Sequence, residues 1–146
     1  MSSSNDQKLR LLKMFLYVGC FGWLISVFAI FLPWDLALIG LENLGAQNIS
    51  YDLMLNYWLR MAAGAFTIIG VIFGLSGLNP AKFCNIIPVL GWMSIFEGIV
   101  LAVHGIRLGL NPLPFVYDAV FCLFVGIGIL ATRNCLGGRE KTHTGN

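Results

Sequence analysis

From Met14 to Leu32 the chain carries no charged side chain. Such a run dictates its own solvent. A helix needs about 20 apolar residues to cross a hydrocarbon core about 30 Å thick. Inside that core, every backbone N–H and C=O must be satisfied within the segment, so a spanning run of this kind is a helix. Three later segments meet the same requirement. The sequence predicts spans over residues 11–32, 57–77, 83–103 and 115–132, separated by Pro33, Asn79-Pro80 and the Asn-Pro-Leu-Pro run at 111–114. Pro88 falls inside the third span and is expected to kink its first turns. The apolar run of the first span is too long for a signal-peptide core, and no convincing cleavage site follows it.

Composition supports this reading. The chain is 58% hydrophobic and 11% charged, with a mean hydropathy of +0.80. Soluble domains are usually about 45–50% apolar and about 25% charged. A soluble fold of 146 residues could not hide this much apolar surface. The expected fold class is therefore all-α, a polytopic membrane protein built as a four-transmembrane-helix bundle. Residues 1–10 and 133–146 form polar tails on the 11–132 membrane domain, and residues 33–56 form its long loop.

Charge placement orients the spans. Lys8, Arg10 and Lys13 open the first, Lys82 lies between the second and third, and Arg133, Arg139 and Lys141 follow the fourth. The 33–56 loop has Asp35, Glu42 and Asp52 and no Lys or Arg. The positive-inside rule then puts both termini in the cytoplasm and the loops at 33–56 and 104–114 outside. Within the outer loop, residues 35–45 have the spacing of a short interfacial helix that Gly45 could end. Asp52 is placed to cap an extended second helix. Asn48-Ile49-Ser50 matches a glycosylation sequon.

Several function classes lack support. A net charge of +2, with the bases near the chain ends, is not a nucleic-acid footprint. Cys20, Cys84, Cys122 and Cys135 make no C-x-x-C pair, and the histidines are His104 and His143 alone. That spacing implies no metal site, cofactor or disulfide framework, and the cysteines read as small apolar fillers. Small residues instead mark helix contacts: Gly70 and Gly74 in the second span, and Gly91, Gly98 and Gly105 at heptad spacing in the third. They suit contacts within one bundle or in a homo-oligomer.

The polar residues of the spans are the candidate site. Glu97 and His104 lie seven apart, on one helix face and about 10 Å apart in rise. With the third span at 83–103, Glu97 falls in its outer third. Arg60 opens the second span on the face of Gly64, Thr67 and Gly74, and Asp118 enters the fourth. With Arg107, these groups gather in the outer leaflet, where ionisable side chains normally pair or line a cavity. The simplest pairs are Arg60 with Glu97, and Arg107 or His104 with Asp118.

Three readings are open. The cluster is an ion-pair network, with Arg60 and Arg107 also able to snorkel to the interface. Or it is a pocket for a lipid-like or quinone-like ligand, rimmed by Tyr51, Tyr57, Trp58, Trp92 and Tyr117, residues that could equally be a headgroup belt. Or it is an enzyme site with Glu97 or His104 as acid or base, although no catalytic motif accompanies them.

The stretches YWLRMAAGAFTIIGVIFG and IIPVLGWMSIFEGIVLAVHGIRLGL resemble small four-span bacterial inner-membrane proteins, and the general layout is similar to the DoxX-like group. The resemblance covers roughly residues 50–130 and rests on the arginine that opens span two and the spaced glycines after it. It implies a four-helix bundle in a bacterial inner membrane and carries no catalytic residue. The reading reached is a non-enzymatic membrane component that binds a lipid-like ligand or a membrane-protein partner. The alternative is a small membrane enzyme acting on a lipid-soluble substrate through Glu97 and His104.

Overall fold

The computed structural model describes residues 2–46, 50–110 and 112–133. The Asn48 sequon, Cys135 and His143 lie outside them. The helices are α1 (Ser2–Leu24), α2 (Val27–Phe31), α3 (Trp34–Asn43), α4 (Leu53–Leu78), α5 (Ile87–Arg107) and α6 (Pro112–Thr132), with no strand among the described residues. Among the described residues, four helical stretches are long and apolar enough to span a bilayer: Asn5–Phe31, Leu53–Leu78, Ile87–Arg107 and Phe115–Thr132. The fold is the four-span all-α bundle expected from hydropathy.

The helix ends follow local chemistry. α4 starts at Leu53, earlier than the expected 57, because Asp52 caps it: its Oδ1 accepts from the N–H of Met54 at 2.7 Å and of Leu55 at 3.3 Å. α5 runs from Ile87 to Arg107 instead of 83–103, since residues 80–86 are turns after Asn79. Pro88 does not kink this span. It sits in the first turn, where a helix needs no N–H donor. Gly45 (φ 99°) and Gly109 (φ 61°) close α3 and α5 in left-handed geometry. Behind them, Ala46 N–H reaches the Leu41 carbonyl and Leu110 N–H the Gly105 carbonyl, at 3.0 and 3.1 Å. This is the Schellman pattern, which glycine adopts without steric cost.

The first span is broken at Ile25–Ser26. There the N–H groups of Ser26, Phe28 and Ala29 reach back three residues instead of four, a tighter winding that bends the chain. Ser26 Oγ bonds the Trp23 carbonyl at 2.6 Å and, across to α4, lies 3.2 Å from both the Ala63 carbonyl and Thr67 Oγ1.

Glycines set which helices meet. Lipid supplies little hydrophobic drive between helices, so close backbone approach and interhelical hydrogen bonds decide. Along α4, Gly77 faces Tyr17, Gly74 faces Cys20, and a Cβ on Gly70 would stand 2.8 Å from Leu24 N. Along α5, Gly91 meets Gly126, Gly98 meets Ala119 and Leu123, and Gly105 meets Phe115. Gly22 against Phe121 and Gly128 against Phe15 join α1 to α6. Each series runs antiparallel, so the spans go up, down, up and down in the order α4, α1, α6, α5. Gly64, which shares a face with Thr67 on a helical wheel, meets nothing within 4 Å.

The buried core is Leu12, Leu16, Phe73, Ile87, Leu90, Val125 and Ile129. All lie toward the end of the bundle that carries the chain termini. Beyond that layer, toward the α3 end, α4 is tied to the first span and α5 to α6. The two helices are held by different neighbours, and the space between them stays open.

Candidate functional site

The expected polar residues occupy separate settings. Arg60 is half-buried on α4. Its guanidinium donates to the carbonyls of Ala29 at 2.5 Å, Ile30 at 3.2 Å and Leu32, while Nε donates to Asn56 Oδ1 at 3.1 Å. These carbonyls end the first span, where Pro33 stops the helix and leaves them without intrahelical donors. The guanidinium is thus committed to span-one backbone, in place of the Arg60–Glu97 pair expected from the sequence.

His104 and Arg107 occupy the last turn of α5, where cations suit the negative end of the helix dipole. Both are exposed, as is Asp118 on α6. The aromatic residues also divide. Tyr51, Tyr57, Trp58 and Tyr117 are exposed toward the α3 end, with Tyr51 edge-on to Trp34 at 5.4 Å and Tyr57 beside Trp58 at 6.3 Å. Trp92 lies in the second turn of α5, near the opposite end, and does not join them.

Glu97 is placed differently. It stands midway between Ile87 and Arg107, about 15 Å from either end of the helix at about 1.5 Å per residue. The later start of α5 therefore moves it from the expected outer third to mid-span. It lines a cleft of about 280 Å³ between α4 and α5. Trp23 of α1, Phe66, Ile69, Ile72 and Phe73 of α4, and Leu90, Met93, Ser94 and Phe96 of α5 form the remaining walls. Ser94 Oγ is already bonded to the Leu90 carbonyl at 2.9 Å. Among the described residues, no hydrogen bond or ion pair engages the Glu97 carboxylate, and no group of three or more His, Cys, Asp or Glu is placed to hold a metal. Cys20, Cys84 and Cys122 are free thiols.

Sequence reasoning missed the walls of this cleft. Phe66, Ile69, Met93 and Phe96 look like ordinary lipid-facing residues along a helix. Only Glu97, flanked by Met93 on its own face, marked the place.

These features define an integral membrane protein of four helical spans with a lateral intramembrane cleft. Compared with protein-family models, with curated proteins and with solved structures, the chain matches none.

Proposed function

We propose that this protein is a membrane-embedded binding protein, taking a largely apolar, lipid-like or quinone-like molecule from the bilayer into the cleft between α4 and α5. One observation carries the reading: Glu97, an acid with no partner among the described residues, lines an otherwise apolar cavity at mid-span. An ionisable group at the bilayer centre costs roughly 2.5–3.5 kcal/mol even on permissive scales and is normally retained for function. Apolar walls with one convergent polar group are the usual make-up of a small-molecule site. The acid–base alternative is less well supported, because Glu97 and His104 are separated by about 10 Å of helix rise, and a shared proton needs contact near 3 Å.

The test is native mass spectrometry after release from gentle detergent, on the wild type, Ile69→Trp and Glu97→Gln. A small-molecule adduct is expected on the wild type, absent when Trp fills the cleft and depleted when the carboxylate is neutralised. An adduct that survives equally in all three proteins refutes the cleft as its site.

We also propose a bacterial inner-membrane orientation with both termini cytoplasmic. Lys8, Arg10, Lys13, Lys82 and Arg133 support it, lying at the end opposite α3. In a background freed of native cysteines, an impermeant maleimide should label Ala46→Cys in intact cells and Lys82→Cys only after permeabilisation. The reverse pattern would invert the protein.

A further inference from the structure

We infer that the ligand of the α4–α5 cleft is a lipophilic organic cation, held by Glu97 as counter-ion and by aromatic ring faces. The inference rests on the cleft being a ligand site and names the chemistry of its occupant.

The first support is charge. Glu97 is the one ionisable side chain in the cleft wall. Arg60, the cation that sequence spacing offers it, is bonded to the span-one carbonyls. His104 and Arg107 lie in the last turn of α5 and are exposed there. A carboxylate in a low-dielectric cavity attracts a cation far more strongly than one in water does, and the described residues bring it none.

The second support is the walls. Trp23, Phe66 and Phe96 place three aromatic rings beside the same space, over a floor that includes the buried Phe73 packed on Gly19. Trp23 and Phe66 stand 5.1 Å apart with planes tilted 48°. Aromatic faces attract cations, tryptophan most strongly, and the attraction grows when water is excluded.

The remaining surface excludes other cations. A metal ion needs several oxygen ligands, and the lining supplies one carboxylate and a hydroxyl already bonded to Leu90. A phospholipid amine is held at the headgroup level, about 15 Å from a residue at mid-span. The charge must therefore ride on an apolar body: a quaternary ammonium, a phosphonium, or a protonated amine with bulky substituents.

Tetraphenylphosphonium and tetraphenylborate test this directly, having the same shape and opposite charge. Equilibrium binding of each would be measured on the full chain in nanodiscs of uncharged lipid, against empty nanodiscs. The expected result is saturable phosphonium binding without saturable borate binding. Glu97→Gln should weaken the phosphonium about tenfold or more, as loss of a desolvated charge partner does. Phe66→Leu, which leaves the carboxylate untouched, should weaken it several-fold and guards against a misfolded Glu97 variant. Equal binding of both ions, abolished by Ile69→Trp but indifferent to Glu97→Gln, would overturn the cation assignment and keep the cleft. A native adduct without saturable phosphonium binding would do the same. No saturable binding of either ion and no native adduct would overturn both.

Discussion

Arg60→Ala is expected to lower stability by about 2–3 kcal/mol and to loosen the end of the first span. The guanidinium serves the carbonyls of Ala29, Ile30 and Leu32 at once. A hydrogen bond to a charged group is worth about 1.5–3 kcal/mol, and an abandoned acceptor adds its own desolvation cost, which water near the interface partly relieves. Arg60→Lys should rescue little. A single ammonium on a flexible stem cannot reproduce the planar fork whose two terminal nitrogens reach the Ala29, Ile30 and Leu32 carbonyls together. The measurement is unfolding in mixed micelles, with hydrogen exchange followed across residues 27–36. Wild-type stability with unchanged protection there would refute the clamp. The double variant with Glu97→Gln should be additive, since the two residues share no partner. A coupling energy of about 1 kcal/mol or more would restore the ion pair between them.

The second large effect is expected at Gly126. A Cβ there would stand 2.7 Å from the Gly91 carbonyl oxygen and 3.0 Å from Ile95 N. Both are backbone atoms, so no side-chain rotation relieves the clash. α5 and α6 must move apart, which costs about 1–3 kcal/mol in an interior already filled. Gly126→Ala should therefore destabilise the bundle despite alanine's better helix propensity. Gly64→Ala is the control. It too sits in a span, but its Cβ would meet nothing within 4 Å, so propensity alone acts and stability should hold or rise slightly. Equal behaviour of the two variants in the same unfolding assay would remove the close contact between α5 and α6 as a stabilising feature.

The contrast between these glycines shows how far sequence reasoning reaches. At about 100° per residue Gly70 and Gly74 lie about 40° apart and touch the first span, whereas Gly64 lies about 80–120° round from them and meets nothing within 4 Å. That difference is written in the periodicity of α4. Arg60 shows the limit. Its position near the start of a span and its face were legible, and its choice between a carboxylate on α5 and carbonyls on α2 was not. The hydrogen bond from Arg60 Nε to Asn56 was within reach, because it is an i, i+4 contact on one helix.

The sequence by itself determined the four spans, the cap at Asp52, the glycine end at Gly45, and the presence of a carboxylate in the third span. Each depends on transfer to lipid or on backbone chemistry within a few residues, and such terms are written along the chain. The tertiary structure alone decided that α4 pairs with α1 while α5 pairs with α6, that Arg60 is spent on a helix end, and that Glu97 is left facing an aromatic cleft at mid-span. Those outcomes depend on which helices become neighbours, a choice set by close contacts between residues far apart in the chain.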